Sequence, residues 1–276
     1  MIPSATRETT SVWDPAPAHD PAAAGPAPFP HVVAWNLTRR CNLACAHCYI
    51  SAGSWHAGAE ELATAECMRI VDEILAVNPA PMLILSGGEP LLREDLEAIA
   101  DRATARGATV VVGTNGTRLS ADRITSLQAA GVRGVAVSVD SLDPHYHDRF
   151  RHGEGALGGT MAAVDRLRRK GLDFIVQTTV TRGNRAEIPA IAEWAAERGA
   201  VAFNVYFLVQ TGRGAGMRGL DPEENEAVLA ELVQLEQRYR GRMLVRSKCM
   251  PAIMRRAWED DPDSPLLAYA TRCPCG

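Results

Sequence analysis

The chain has 276 residues, of which 46% are hydrophobic and 22% are charged, and its formal net charge is −4. This length can bury one large core, and the scattered charges form no basic surface of the kind that nucleic acids or anionic membranes require. No run of about eighteen apolar residues occurs, so no membrane span is predicted, and the cysteine content without a secretory segment predicts a cytoplasmic protein.

The chain begins with a stretch, residues 1–28, that is rich in proline and alanine and poor in large apolar side chains. Such a composition cannot bury enough surface to offset the entropy lost on ordering, so we predict a flexible leader. One main domain is expected over residues 29–241, and residues 242–276 are expected to form a short tail that contains cysteines.

Apolar runs that predict strands alternate with segments of helical periodicity through the main domain. Strands are predicted at residues 31–37, 81–86, 108–113, 134–139, 173–180 and 201–208. Helices are predicted at residues 61–77, 94–106, 121–130, 156–170, 186–198 and 223–240. This alternation indicates βαβ crossovers and a parallel sheet. Six strands, where a complete barrel has eight, favour an open, partial (β/α)6 barrel of the α/β class.

Three cysteines, Cys41, Cys45 and Cys48, follow the first predicted strand within eight residues. Thiolates are soft ligands that favour zinc, copper(I) or iron–sulfur clusters. Structural zinc sites usually combine two paired half-sites, and no second half-site lies beside this run. A four-iron cluster held by three cysteines would leave one iron open to a ligand. A zinc knuckle and three core cysteines remain the alternatives.

The spacing Cys41-x3-Cys45-x2-Cys48, followed by the aromatic Tyr49, resembles the signature of the radical S-adenosylmethionine (radical SAM) family. The resemblance implies that these cysteines hold a 4Fe–4S cluster whose open iron binds S-adenosylmethionine (AdoMet), with Tyr49 beside the cofactor. In the family, an electron from the cluster cleaves AdoMet. The resulting 5′-deoxyadenosyl radical abstracts a hydrogen atom from the substrate, so the cysteines count as catalytic as well as metal-binding.

Chemistry in barrels of this kind gathers at the carboxyl ends of the strands. The second predicted strand ends in Gly87, Gly88, Glu89 and Pro90, which resemble the family's Gly-Gly-Glu-Pro motif that contacts the amino group of AdoMet. A tight turn before the next helix is the alternative reading. The third strand is followed by Asn115, which the resemblance places near AdoMet but which an Asn-Gly turn would also explain.

The fourth strand ends in Ser138 and Asp140, which resemble a Ser-x-Asp motif that binds the polar groups of AdoMet. The resemblance also implies that Arg151 pairs with the AdoMet carboxylate, a task that suits a guanidinium group. Alternation directs Gln177 and Thr179 of the fifth strand to the barrel interior, where polar side chains of the family approach the adenosine. Together these residues are the predicted AdoMet cradle.

His145, His147 and His152 lie in a predicted loop after the fourth strand. Their irregular spacing favours surface or local hydrogen-bonding roles over a second metal site.

The loop after the sixth strand contains Thr211-Gly212-Arg213-Gly214, and Arg218 follows it. This turn resembles family members that modify tetrapyrrole side chains in haem d1 and sirohaem-dependent haem synthesis. Arginines here would suit a substrate with several carboxylates. A mobile loop over the barrel mouth is the alternative reading.

The tail contains Cys249, Cys273 and Cys275, and its last residues resemble the start of the cysteine-rich SPASM-type extension that binds auxiliary clusters in some relatives. The chain therefore looks truncated at its carboxyl end. A second iron–sulfur cluster could begin here, and reduced thiols without a ligand are the alternative.

The sequence thus predicts a radical SAM oxidoreductase or lyase that acts on a small molecule or tetrapyrrole, with a reductant such as ferredoxin or flavodoxin. A SPASM-type maturase of a peptide or of a partner metalloenzyme is the alternative among radical enzymes. A non-catalytic iron–sulfur or zinc sensor is the alternative of another class. It would need a fourth ligand, for which His47 and His56 are candidates, but it would not need the polar strand ends.

Overall fold

The structure, a computed structural model, describes residues 31–56 and 61–270. Seven strands within these residues form one parallel sheet. Each strand pairs with the next one along the chain. The strands are β1 (Val32–Asn36), β2 (Met82–Ser86), β3 (Thr109–Thr114), β4 (Gly134–Ser138), β5 (Asp173–Val180), β6 (Ala202–Phe207) and β7 (Leu244–Lys248).

Helices connect the strands and cover the outer face of the sheet. They are α1 (Thr64–Val77), α2 (Leu96–Thr104), α3 (Ala121–Ala129), α4 (Pro144–Arg151), α5 (Ala156–Lys170), α6 (Ile188–Glu197), α7 (Pro222–Tyr239), α8 (Ile253–Asp260) and α9 (Pro265–Ala270). None of these helices is both long enough and apolar enough to span a bilayer.

The sheet curls into a half-barrel with two apolar layers of different size. The larger layer lies between the strands and the helices, where alternate strand residues such as Val110, Val135 and Val176 are fully buried. The smaller layer lies on the inner face and consists of Val111, Ala136, Ile175 and Ala202. Alternation along each strand therefore places an apolar floor inside the half-barrel, and the inward side chains above it are polar.

The six predicted strands and the α/β partial barrel are confirmed. The structure adds β7, which pairs with β6 and lies in the stretch that the sequence analysis treated as a tail. Its sequence, Leu-Val-Arg-Ser-Lys, has only two apolar residues, so it lacks the apolar run that identifies the other strands. The leader at residues 1–28 and the cysteines Cys273 and Cys275 lie outside the described residues.

Helix α4 corrects the prediction that the three histidines after the fourth strand lie in a loop. The Asp143 side chain accepts a hydrogen bond from the backbone N–H of His145 (2.9 Å), and Pro144 occupies the first turn. Both features are helix-start signals. His147 is fully buried in this helix, and its Nδ1 accepts a hydrogen bond from Asp140 N (3.3 Å), so it has the local hydrogen-bonding role that was one of its two expected roles and not the surface position. The helix brings Arg151, its last residue, to the carboxyl ends of the strands.

Candidate active site

The three clustered cysteines lie in a loop that follows β1 and folds back over the carboxyl ends of the strands. Backbone hydrogen bonds fix this loop internally and to helix α4. They join Cys41 N to Gly53 O (3.2 Å), Ala44 N to Arg151 O (3.2 Å) and Ala46 N to Phe150 O (2.8 Å). The cysteines therefore occupy a loop whose backbone is held on two sides.

The thiols lie in partly desolvated surroundings that contain hydrogen-bond donors. Burial raises the pKa of the Cys41 thiol to about 11 and also raises the pKa of Cys45. The backbone N–H of Leu43 donates to Cys41 Sγ (3.4 Å), and that of Ala52 donates to Cys48 Sγ (3.3 Å). Donors of this kind stabilise sulfur that is bound to iron, and binding to a metal removes the thiol proton.

Gly87 and Gly88 lie where the cysteine loop crosses the end of β2. A Cβ atom at Gly87 would collide with the carbonyl oxygen of Thr38, and one at Gly88 would collide with that of Arg40. Gly87 also has a φ of 135°, which an L side chain rarely adopts. In this structure the glycine pair lets the Gly88 N–H donate to Thr38 O (2.7 Å), which anchors the start of the loop.

Glu89 is a fully buried carboxylate beside this anchor. It accepts hydrogen bonds from Thr114 Oγ1 (2.8 Å), Asn115 N (2.8 Å) and Leu91 N (3.1 Å). Burial nevertheless raises the pKa of Glu89. No salt bridge to Glu89 occurs in the described part of the chain, so a cationic group placed here would favour its ionised form. Pro90 begins the short 3-10 helix Pro90–Leu92 that follows.

Asp140 and Arg151 form a buried ion pair next to the cysteines. Arg151 Nε and Nη2 donate to Asp140 Oδ2 (2.8 and 2.7 Å). The second oxygen, Oδ1, accepts from the backbone N–H of Thr179 (2.8 Å). Burial opposes ionisation of Asp140 and is the largest single effect. The attraction of Arg151 and smaller contributions from His47, His147 and the Thr179 N–H together outweigh it, so the pKa of Asp140 is lowered. Arg151 Nη1 lies 4.0 Å from Cys45 Sγ, which places a positive charge at the cysteine loop.

The remaining predicted residues differ in how close they come to the thiols. Asn115 Nδ2 lies 3.9 Å from Cys41 Sγ, so this side chain is at the centre. Ser138 and Gln177 are register partners on the inner face of β4 and β5, and both are half-buried. Tyr49 is 57% exposed, and its hydroxyl donates to Asn36 Oδ1 (2.9 Å) at the end of β1. Asn36 pairs in register with Ser86 on the inner face of the sheet, so the Tyr49 hydroxyl reaches the same inner surface as Ser138 and Gln177.

Arg213 takes a role that the sequence analysis did not foresee, since it was considered there for substrate binding. Its Nε donates to Cys45 O (2.8 Å), its Nη1 donates to Ala52 O (2.6 Å), and its backbone N–H donates to Cys48 O (3.0 Å). The guanidinium also lies over the ring of Trp55, 5.2 Å from the centroid. Arg213 therefore ties the segment after β6 to the cysteine loop.

The two histidines considered as fourth ligands have different surroundings. His47 stacks on Phe150 with 4.6 Å between ring centroids, and burial lowers the pKa of His47 to about 4. His56 Nε2 lies within hydrogen-bond distance of Ser51 O (3.1 Å). In the described residues, no three His, Cys, Asp or Glu side chains converge as they would on one metal ion.

A family model with the description "Radical SAM superfamily" matches residues 35–195. The chain belongs to this superfamily. Among curated relatives, it is 39% identical over 226 residues to the AdoMet-dependent heme synthase of Methanosarcina barkeri, with 82% of this chain and 64% of the relative covered. It is 37% identical over 193 residues to the pre-heme d1 synthase of Dinoroseobacter shibae, with 70% and 47% covered. The chain thus spans about half to two thirds of these radical SAM relatives.

The fold is shared with proteins of known structure, one of which was solved with S-adenosylmethionine bound. Streptococcus suis SuiB bound to S-adenosylmethionine superposes with a TM-score of 0.69 at 13% identity, covering 80% of this chain and 51% of SuiB. At this identity the likeness shows the fold alone. It confirms the half-barrel that the strand count predicted.

Membership of the radical SAM superfamily confirms a 4Fe–4S cluster and AdoMet as the cofactors. The donor set fits the cluster: three thiols share one loop, backbone N–H groups point at two of the sulfurs, and Arg151 supplies positive charge. The three cysteine sulfurs need not converge on one point, because each thiolate of such a cluster binds a different iron. The part that each residue takes, and a second cluster at the tail, stay predictions.

Substituting lysine for Arg213 tests whether this residue holds the radical SAM loop in place. Lysine keeps the charge but cannot reach two carbonyls with a planar fork, so the loop loses about 1–3 kcal/mol of hydrogen bonding. We expect an iron chelator to remove the reconstituted cluster about tenfold faster than in wild type, as measured by the loss of the visible absorbance.

The matched control for this variant is Arg218→Lys, an exposed arginine five residues later. It should lose iron at the wild-type rate. Equal rates for all three proteins would show that Arg213 does not position the loop.

Proposed function

We propose that the protein reductively cleaves AdoMet and uses the 5′-deoxyadenosyl radical to abstract hydrogen from a tetrapyrrole side chain. The observation that carries this proposal is the arrangement of a buried carboxylate, Glu89, and a buried guanidinium, Arg151, beside one three-cysteine loop. The heme and heme d1 activities in the names of the curated relatives support the choice of substrate class.

Each polar group of the site has a task that follows from its charge. We propose that Cys41, Cys45 and Cys48 bind three irons and leave the fourth to AdoMet. When bound, the cluster supplies the electron for cleavage. Glu89 suits the ammonium group of AdoMet, because it is a buried carboxylate that no cation contacts within residues 31–56 and 61–270. Arg151 suits the carboxylate group, because its charge lies beside Cys45.

The inner face supports the radical step by what it excludes. The floor of Val111, Ala136, Ile175 and Ala202 is apolar and buried, so it keeps water from reaching the reacting atoms from below. Ser138, Gln177 and Thr179 lie above this floor on β4 and β5. We propose that Ser138 binds polar groups of AdoMet and that Gln177 and Thr179 contact the adenosine. These roles follow the family pattern, residue by residue.

Exchange of Glu89 for glutamine tests the ammonium assignment. Glutamine keeps the shape but removes the charge, and a lost charge-assisted hydrogen bond costs about 1.5–3 kcal/mol. We therefore expect AdoMet to bind about 10- to 100-fold more weakly, as measured by equilibrium dialysis of the reconstituted protein.

The control for this exchange is Glu94→Gln, because Glu94 is an exposed carboxylate in the same connection between β2 and α2. It should bind AdoMet like the wild type. Unchanged affinity in Glu89→Gln, with a normal thermal unfolding curve, would refute the ammonium assignment.

We further propose that the protein works in the cytoplasm with a low-potential donor such as ferredoxin or flavodoxin. A cluster on reduced thiols needs a reducing compartment, and reductive cleavage needs one electron per turnover. Both proposals follow from the chemistry of the site.

The substrate class is tested with the anaerobically reconstituted protein and dithionite. Iron coproporphyrin III is the probe, and 5′-deoxyadenosine formation is measured with and without it. A tetrapyrrole enzyme should form more 5′-deoxyadenosine when the porphyrin is present, and the porphyrin should change in mass. If the porphyrin does not change the amount of 5′-deoxyadenosine formed, the tetrapyrrole assignment is refuted and a peptide substrate is favoured.

A further inference from the structure

The side chain of Asn115, directly after β3, is held in one orientation beside the first cysteine of the loop. Its Oδ1 accepts hydrogen bonds from the backbone N–H of Thr117 (2.9 Å) and from Thr117 Oγ1 (2.7 Å). A backbone N–H can only donate, so the amide oxygen of Asn115 must face Thr117 and the amide nitrogen must face the other way. These hydrogen bonds therefore decide which end of the amide faces the cysteine.

The amide nitrogen of Asn115 donates to two side chains of the cysteine loop. They are Asn42, through Oδ1 (3.0 Å), and Cys41, through Sγ (3.9 Å). Asn42 in turn donates through its own Nδ2 to Thr117 Oγ1 (2.8 Å), which closes a ring of hydrogen bonds. We call Asn42, Asn115 and Thr117 the amide clamp. Because Asn115 is only 6% exposed, water competes little for its N–H groups.

The Asn115 amide differs from the other hydrogen-bond donors near the sulfurs. Cys41 Sγ also accepts from the N–H of Leu43 (3.4 Å), which belongs to the backbone. Arg151 brings a full positive charge towards Cys45, and the proposed function assigns this charge to the AdoMet carboxylate. Asn115 is thus a neutral donor on a side chain, and substitution can remove it without changing the charge of the site.

Hydrogen bonds to the sulfurs are one of the factors that set the reduction potential of an iron–sulfur cluster. Reduction adds one electron, which increases the negative charge on the sulfur ligands. A donor that points at a sulfur therefore stabilises the reduced form more than the oxidised form and raises the potential. Removal of this donor should make the cluster harder to reduce.

We propose that the amide clamp holds the Asn115 N–H against Cys41 Sγ and thereby raises the reduction potential of the cluster. This inference rests on the proposed function, since it needs the three cysteines to bind a cluster. It gives Asn115 a task in electron uptake that is separate from its predicted place near AdoMet. Asn42 and Thr117 become positioning residues, because they act through Asn115.

The test is a redox titration of the full, anaerobically reconstituted chain without AdoMet. Dithionite is the reductant, and electron paramagnetic resonance measures the reduced cluster. Asn115→Leu keeps the approximate shape of the side chain and removes its N–H groups. At the wild-type midpoint potential, we expect the ratio of reduced to oxidised cluster in this variant to be about tenfold lower. For a one-electron couple, this ratio corresponds to a shift of about 59 mV to a more negative potential.

The control is Asn225→Leu, which removes a half-buried asparagine of α7 whose Nδ2 donates to Leu220 O. It should titrate like the wild type. Thr117→Val is a second test variant, because it keeps the backbone N–H but removes the hydroxyl that bonds both asparagines of the clamp. We expect its potential to shift in the same direction as that of Asn115→Leu, but by less.

Equal midpoint potentials in the wild type, Asn115→Leu and Thr117→Val would overturn the inference, and so would an equal shift in Asn225→Leu. Weaker AdoMet binding by Asn115→Leu at an unchanged potential would also overturn it, because the side chain would then serve only the cofactor. A wild type that binds no cluster is a separate result, which refutes the proposed function itself. Iron content and thermal unfolding identify a variant that fails to load or fold, and if Asn115→Leu fails, Thr117→Val decides.

Discussion

Replacing Cys45 by alanine is expected to abolish AdoMet cleavage. Cys45 is one of three thiols in the loop after β1, and a 4Fe–4S cluster that lacks one of three protein ligands cannot keep a single open iron for AdoMet. The measurement is 5′-deoxyadenosine formed by the anaerobically reconstituted, dithionite-reduced protein. We expect the variant to fall to the level of protein-free buffer.

Cys67→Ala is the matched control, because Cys67 is also a free cysteine but lies fully buried in the outer core on α1. Removing its sulfur should cost about 1 kcal/mol of stability and leave cleavage intact. Cleavage retained by Cys45→Ala would contradict the assignment of this loop. An equal loss of AdoMet cleavage in Cys45→Ala and Cys67→Ala would indicate that both variants misfold.

Substituting asparagine for Asp140 is expected to lower the free energy of unfolding by about 3–5 kcal/mol, because it leaves the buried Arg151 without its counter-charge. The free energy is measured by denaturant unfolding at pH 7. The accompanying loss of AdoMet affinity should be large, since Arg151 would no longer be held beside Cys45.

The pH dependence of stability gives a second readout of the same pair. The pKa of Asp140 is lower in the folded protein than in the unfolded chain, where it is about 3.9. The contribution of Asp140 to the free energy of unfolding is therefore complete above the unfolded pKa. It is lost as the pH falls through the folded pKa. Wild type should therefore lose stability in that acid range, and Asp140→Asn should lack this component. Asp165→Asn serves as the control, because Asp165 also has an arginine partner but is half exposed. Its Oδ1 lies 3.9 Å from Arg198 Nε. Equal stability of wild type and Asp140→Asn would contradict the account.

Sequence periodicity was sufficient for the strands that are buried on both faces. The run 173–180 reads Asp-Phe-Ile-Val-Gln-Thr-Thr-Val, and the structure has a strand over the same residues. Strand β7 was not predicted, because its inward face carries Arg246 and Lys248, which interrupt the apolar pattern. Helix α4 was not predicted, because it spans only eight residues, although Asp143 and Pro144 are signals of a helix start. Short elements and polar inner faces are therefore where local pattern fails.

The site shows the same division between local and long-range information. The cysteine spacing, the Gly87–Glu89 motif and Arg151 were found because each is a short motif with a known family pattern. The contact between Arg213 and Cys45 joins residues 168 positions apart, and no local rule predicts it. The role of Gly88 as a point of contact with Arg40 likewise needed the folded backbone.

The central claim is that three cysteines hold a cluster with one iron reserved for AdoMet. It is tested most directly by electron paramagnetic resonance of the reduced, anaerobically reconstituted protein, recorded with and without AdoMet. We expect about four irons per chain from this loop and a spectrum that changes when AdoMet is added. Zinc in place of iron, or an iron–sulfur spectrum that AdoMet leaves unchanged, would contradict the claim.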